Sequence, residues 1–210
     1  MKKIFLIRHG ESEFNAKKIV QGHIDTDLTP AGIVQSRLAG EYLKEFNIKK
    51  VISSDLRRAY KTATIISDIL NLSVEKDKRI REMSFGEWEG KSYEHIFKTD
   101  YDKFNNWLKN PVACPLPSQE EITNFEKRLK SFYKYLLTLK ENTILVVGHG
   151  GSIQGLLCIA CQMSMENLWS LKHSNTGISL IVLYENRVSI QMLNSTSHLE
   201  KSSILENPLM

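Results

Sequence analysis

The sequence predicts an α/β fold: a three-layer αβα sandwich with a mostly parallel central sheet of about six strands and a small helical lid insertion. Three observations predict it. Short apolar runs alternate along the chain with segments whose apolar residues recur at helical spacing. Two of the runs, residues 3–7 and 143–148, lead into histidine followed by glycine, at Arg8-His9-Gly10 and His149-Gly150-Gly151. That is how a buried strand passes into a loop. The composition, 41% hydrophobic and 25% charged over 210 residues, excludes a disordered chain, a collagen and a disulfide miniprotein. Residues 1–210 are expected to form one domain, since domains run to ~100–200 residues.

The elements follow in order. Residues 3–7 read as the first strand. Thr29 is a plausible N-cap and Pro30 suits the first helical position, so a helix is expected from there to about residue 46. Val51-Ile52 is a second strand, and residues 57–70 form a helix with Ala59, Ala63, Ile66 and Leu70 on its apolar face. Residues 72–75 give a weak third strand. Residues 84–118 hold two of the three tryptophans among scattered glycines and prolines, and read as a partly helical lid insertion over a site. A long helix over 119–140 carries Ile122, Phe125, Leu129, Phe132 and Leu136 on one stripe. Ser118 and Glu121 have the spacing of a capping box for it. Thr143–Gly148 is the clearest buried strand, followed by an apolar helix to about Cys161. Residues 178–184 and 187–193 make a hairpin through Glu185-Asn186, and the last ten residues read as loose.

Charge and cysteine content narrow the classes of function. Twenty-eight Lys+Arg against 24 Asp+Glu give +4, too little to name nucleic acid as a partner but compatible with an anionic substrate. Three cysteines, Cys114, Cys158 and Cys161, make a disulfide framework improbable and favour a cytoplasmic location. The pair Cys158-x-x-Cys161 lacks a second pair and reads as core. The apolar run at the N-terminus stops at Arg8, too short for a signal peptide, and no stretch suits a membrane span.

In open α/β sheets, sites form beyond the carboxyl ends of strands, which places His9 and His149 in one pocket if their strands are neighbours. Imidazole titrates near neutrality, so it serves as nucleophile or donor. No zinc motif accompanies the pair, and phosphate is the better ligand. Arg8 offers a guanidinium fork, while Gly10 and Gly150 let backbone N–H groups approach an anion. A dinucleotide fingerprint fails at Ile153, a GxSxG elbow fails at Gln154, and a P-loop fails at Leu156-Leu157.

Several ordered motifs then identify a resemblance over about residues 3–199. They are Arg8-His9-Gly10-Glu11-Ser12-Glu13-Phe14-Asn15; Gln21-Gly22 with Asp25, Leu28-Thr29, Gly32 and Gln35; Ser54-Asp55-Leu56-Arg57-Arg58-Ala59 with Thr62-Ala63; Glu82 to Gly90; and Gly148-His149-Gly150-Gly151. Together they resemble the histidine phosphatase superfamily, of phosphoglycerate mutase-like fold. The resemblance implies that His9 is the nucleophile, with one ring nitrogen fixed by a backbone carbonyl. It implies that Arg8, Arg58 and a cationic His149 surround the phosphoryl oxygens and that Glu82 is the general acid and base. Asn15, Gln21, Gly22, Gly150 and Glu120 are implied substrate-binding positions. No metal and no cofactor are expected. The family spacing selects Arg58 over Arg57, which reads as solvated.

The stretch Phe85 to Ile96 and the ending Leu193 to Leu199 are similar to α-ribazole phosphatases and metal-independent phosphoserine phosphatases. The best reading is a metal-independent phosphomonoesterase acting on a small-molecule phosphate ester, with α-ribazole 5′-phosphate first. Phosphoserine or a broad set of esters comes next, then phosphoglycerate mutase, then a non-catalytic phospho-group binder. No nucleic acid and no membrane is expected as partner, and a homodimer is kept open. One departure stands out: Pro117-Ser118-Gln119-Glu120-Glu121 replaces the P-x-G-G-E-S of relatives before the long helix, although Glu120 and Arg128 keep their places. The aromatics Trp88, Tyr93, Phe97, Tyr101, Phe104 and Trp107 either line a leaving-group pocket or pack the insertion onto the sheet.

Overall fold

A computed structural model describes residues 1–200, so the expectation of a loose end over the last ten residues lies outside the described residues. The fold is α/β around a six-stranded, mostly parallel sheet of order β3-β2-β4-β1-β5-β6. The strands are β1 Lys2–Arg8, β2 Lys50–Ser53, β3 Val74–Lys76, β4 Thr143–Gly148, β5 Ile178–Leu183 and β6 Val188–Ser195. The helices are α1 Glu13–Ala16, α2 Pro30–Leu43, α3 Arg57–Leu70, α4 Tyr93–Thr99, α5 Tyr101–Lys109, α6 Ile122–Thr138 and α7 Gly150–Ala160. Strands β1 to β4 run parallel and β5 pairs antiparallel with β1. The expected hairpin forms β5 and β6, and Tyr184 N–H donates to the Arg187 carbonyl across its turn.

Side-chain alternation along each strand builds two cores. Ile4 and Leu6 of β1 and Ile144 and Val146 of β4 pack with Phe125, Leu129 and Phe132 of α6 and Ile153 and Leu157 of α7. Their neighbours Phe5, Ile7, Leu145 and Val147 face the other way, onto Ala39 and Leu43 of α2 and Ala59, Ala63 and Ile66 of α3. A parallel sheet buried on both faces needs this continuous apolar run. Each fully buried aliphatic side chain contributes roughly 1.5–3 kcal/mol.

Register fixes the site. Arg8 pairs with Gly148 and Ser53 with Val147, so β1, β2 and β4 end together. Their continuations, His9, Ser54 and His149, leave the sheet at one edge. Helix α2 backs against the first of these loops. Thr29 Oγ1 caps it by accepting from Gly32 N–H, and Pro30 occupies its first turn as expected. A side chain at Gly10 would run into the Gly32 carbonyl, so glycine there lets α2 seat against the loop that carries His9.

Three local expectations are corrected. The long helix begins at Ile122, after Glu121, and no capping box forms. Ser118 instead takes a left-handed backbone with φ 57°, and its Oγ donates to Glu87 Oε1 at 3.2 Å. That loop closes over Gly86, where a Cβ would meet the Pro117 carbonyl and the Ser118 backbone. Cys158 is buried but Cys161 is exposed, so only the first is core. The third strand starts at Val74, after a left-handed Asn71 closes α3.

Candidate active site

A cavity of about 210 Å³ opens beyond the carboxyl ends of β1 and β4. It is lined by Arg8, His9, Asn15, Gln21, Gly22, Arg58, Glu82 and Gly150 from the predicted set. His9 is 2% exposed and held on three sides. Its Nδ1–H donates to the Gly10 carbonyl at 2.7 Å, its backbone N–H donates to Gly148, and its carbonyl accepts from Asn175 Nδ2 at 3.0 Å. A carbonyl can only accept, so the proton sits on Nδ1 and the free lone pair is on Nε2. Burial, then the charges of Arg58 and Arg8, hold the His9 imidazole well below the usual histidine range. It is neutral at neutral pH.

His149 is fully buried, with its ring centroid 5.2 Å from that of His9. Its Nε2 lies 2.8 Å from Ser54 Oγ, and its Nδ1 is buried without a partner. Burial, followed by the charge of Arg58, also depresses its pKa well below the usual value. The expectation of a cationic His149 is therefore corrected: two guanidiniums already supply the positive charge, and a third cation in the same buried volume is disfavoured.

Those guanidiniums are unusual. Arg58 is 1% exposed; it donates from Nη1 to the Ile24 carbonyl and from Nη2 to the Gly22 carbonyl, at 2.9 and 2.8 Å. Burial pushes it down to about 10, with Glu82 opposing. Arg8 donates from Nη1 to the His173 carbonyl at 2.7 Å, and burial lowers it too. Among the described residues neither makes an ion pair, and the Nε of each is buried without a partner. Buried charge is costly unless paired, so this cavity is built for an anion. Arg57, its sequence neighbour, is exposed, as expected.

Glu82 closes the other side. Its Oε1 accepts from Met83 N–H at 3.0 Å and Ser152 N–H at 3.2 Å, and its Oε2 accepts from Gly151 N–H at 3.1 Å. The carboxylate thus sits on the first turn of α7, the helix that follows His149. Its backbone carbonyl accepts from His23 Nε2 and from Arg128 Nη2.

The amides of Asn15 and Gln21 are oriented by their neighbours. Asn15 Oδ1 accepts from Ser12 N–H and Asn175 Nδ2, and Gln21 Oε1 accepts from the hydroxyls of Ser12 and Thr26. Both therefore keep their NH₂ groups for the cavity. Glu120 is not among the lining residues. Its carboxylate pairs with Arg128, Nε to Oε1 at 2.7 Å and Nη2 to Oε2 at 2.8 Å. The aromatics divide: Tyr93, Phe104 and Trp107 line the cavity, Trp88 is core, and Phe97 and Tyr101 are exposed. Sequence reading missed Gln154 and Trp169 in the wall, the partnership of Ser54 with His149, and the clamp that Arg128 makes. Asn175 ties His9 to Asn15.

Among the described residues no group of three His, Cys, Asp or Glu side chains is placed to hold a metal ion, and no helix is long and apolar enough to cross a membrane.

Similar proteins carry the same chemistry in their names. The chain is 44% identical to "Putative phosphoserine phosphatase 2" of Hydrogenobacter thermophilus over 94% of this chain and 98% of that one. It is 32% identical to "Phosphoserine phosphatase 1" of the same organism, over 95% of both. The solved alpha-ribazole phosphatase of Shigella flexneri superposes with a TM-score of 0.81 at 27% identity, over 92% of this chain and 96% of that one. A model of the histidine phosphatase superfamily, branch 1, matches residues 4–196, and the chain belongs to that family of phosphatases.

Proposed function

We propose that the chain hydrolyses the phosphate monoester of a small metabolite, phosphoserine first, through a phosphohistidine on His9. The observation that carries this reading is a neutral His9, with its lone pair on Nε2, set beside the buried Arg58 and half-buried Arg8 guanidiniums, neither of which has a carboxylate partner. In the first half-reaction Nε2 attacks phosphorus and the ester P–O bond breaks. Glu82, as its acid form, delivers a proton to the departing alkoxide oxygen. In the second, Glu82 takes a proton from water, whose oxygen attacks phosphorus. The P–N bond breaks, its electron pair returns to Nε2, and phosphate leaves.

Arg8 and Arg58 meet the non-bridging oxygens and stabilise the charge that grows on them. His149, its ring beside that of His9 and its Nε2 bonded to Ser54 Oγ, supports the nucleophile's side of the site. Asn15 and Gln21 add N–H groups, and the N–H of Gly150 opens α7 toward the same oxygens. Gly22 acts through its carbonyl by holding Arg58. Glu120 acts at one remove, through Arg128.

Size supports phosphoserine over α-ribazole 5′-phosphate. A cavity of about 210 Å³ is below the ~300 Å³ at which pockets for drug-sized ligands begin. An amino-acid ester suits it better than a nucleoside-like one. The higher identity to phosphoserine phosphatases, 44% and 32%, supports the same order.

Phosphate release from phosphoserine, α-ribazole phosphate, 3-phosphoglycerate and p-nitrophenyl phosphate in EDTA tests the reading. Phosphoserine is expected to lead. His9→Ala is expected to abolish turnover and the acid-labile phosphoprotein trapped from wild type. Normal turnover in that variant would remove the nucleophile assignment.

A further inference from the structure

The wall on the leaving-group side contains a buried amide that the hydrolytic scheme does not use. Gln154 lies on α7 and is 7% exposed, yet it lines the cavity. Its Nε2 donates to the Gly150 carbonyl at 3.1 Å. A carbonyl cannot donate, so this contact fixes which end of the amide is nitrogen. Oε1 is left as an acceptor with no partner among the described residues.

Its location relative to Glu82 follows from one point in space. A methyl built on Gly150 would lie 3.7 Å from Gln154 Nε2 and 3.7 Å from Glu82 Oε2. The amide and the carboxylate therefore flank the same place. In the proposed scheme Glu82 protonates the ester oxygen from this wall of the cavity, so the carbon chain attached to it leaves on the side that Gln154 lines. Trp107, Trp169 and Phe85 line the same cavity, the two tryptophan rings with centroids 4.5 Å apart and Phe85 at 6.2 Å from Trp169. Of the other polar lining groups, Arg8, Arg58, Asn15 and Gln21 present N–H groups and Tyr93 a hydroxyl, while His9 and Glu82 are taken up by the proposed phosphoryl and proton transfers. Gln154 Oε1 is the uncharged acceptor that the scheme leaves over.

We propose that Gln154 Oε1, in the cavity that Trp107 and Trp169 also line, receives the ammonium group of an amino-bearing leaving group and so selects 2-aminoalkyl phosphates. This rests on the proposed hydrolytic reading and deepens it. An acceptor oxygen matches an N–H donor, and aromatic faces attract a cation through their negative quadrupole. A hydroxyl at that position satisfies the oxygen but gains nothing from the rings. A hydrogen atom there leaves a buried acceptor unpaired once the ligand displaces water, and this discriminates strongly.

Three esters of one shape isolate the effect. Phosphoserine carries NH₃⁺, 3-phosphoglycerate carries OH, and 3-phosphooxypropionate carries H at the same carbon. The expected order of kcat/KM in wild type is NH₃⁺, then OH, then H, with about tenfold or more between the first and last. In Gln154→Leu the ratio of first to last is expected to fall to about threefold or less. In Gln154→Glu, which keeps an acceptor, it is expected to be retained or to rise. Affinities of the same esters for the His9→Ala variant, measured by calorimetry, are expected to follow the same order without any turnover. An unchanged ratio in Gln154→Leu, or a preference for the hydroxyl ester, would overturn the assignment. If wild type releases no phosphate from phosphoserine while the calorimetric order holds, the hydrolytic reading fails and the Gln154 assignment stands.

Discussion

Replacing Arg128 with methionine removes the clamp behind Glu82. The Arg128 guanidinium spends all five N–H groups: Nη1 donates to the carbonyls of Arg79 and Arg81, Nη2 to the Glu82 carbonyl and Glu120, and Nε to Glu120. It also lies 4.7 Å over the Phe125 ring. Charge-assisted hydrogen bonds are each worth ~1.5–3 kcal/mol, and stranding one partner of a buried ion pair costs ~3–5 kcal/mol. Both Arg128 and Glu120 keep 18% of their side-chain surface, so water reaches the abandoned groups and the low end applies. Arg128→Met is expected to cost about 3 kcal/mol. For a chain of this length that lowers Tm by roughly 6–12 °C, at ~2–4 °C per kcal/mol. Glu120→Gln is expected to cost less, and the double variant less than the sum of the two, because each removes the other's reason to be charged. Urea unfolding gives the energies. Kinetics give the second readout: Glu82 loses its mooring, so kcat is expected to fall more for alkyl esters than for p-nitrophenyl phosphate, with KM little changed. A loss under about 1 kcal/mol with additive variants would refute the clamp. A uniform loss across leaving groups would detach it from Glu82.

Three further outcomes are expected. Glu82→Gln slows hydrolysis of esters with poor leaving groups far more than of p-nitrophenyl phosphate, and equal losses in a leaving-group series would refute the general-acid role. Burial holds His173 and His198 at about 4 against an ordinary value of 6.5, with His9 and His149 depressed in the same direction. Between those pH values the unfolded chain binds protons that the folded chain refuses. Stability is thus complete above pH 6.5 and lost as pH falls toward 4, by roughly 3 kcal/mol from His173 alone; chemical unfolding that is flat from pH 7 to 4.5 would contradict this. Gly86→Ala is expected to destabilise by about 1–3 kcal/mol, because φ is +56° and the Pro117 carbonyl occupies the space a methyl needs; thermal melting reads the loss.

What sequence made legible was local or ordered along the chain. His9 and His149 could be brought together because strand ends in a parallel sheet share an edge, and the register of Arg8 with Gly148 sets their rings side by side, although only His9 lines the cavity. Arg58 could be separated from Arg57 only through the resemblance, by the family's spacing from Ser54. Convergence from unrelated segments was not legible. Trp169 reaches the cavity from a short 3-10 helix, and Gln154 reads from sequence as one polar residue in an apolar helix. Ser118 and Glu121 satisfied the local pattern of a capping box, but the loop obeys a longer-range demand, closure over Gly86. Glu120 stood where a substrate contact was expected, yet Arg128, eight residues on, claims its carboxylate. The charge of His149 was misjudged because burial beside two arginines is a property of the assembled site.

The seating of Glu82 on α7 bears on how the cycle closes. In the proposed first half-reaction the proton leaves and a full negative charge remains in a space with little water. The N–H groups of Gly151, Ser152 and Met83 are already aimed at that charge. They act as a frozen solvation shell, oriented during folding rather than at each turnover. The enzyme therefore rests between half-reactions with its base formed, solvated and fixed in direction. In the proposed scheme, water entering after the alcohol has left meets a proton acceptor that requires no reorganisation, so the second half-reaction starts from a base already in place.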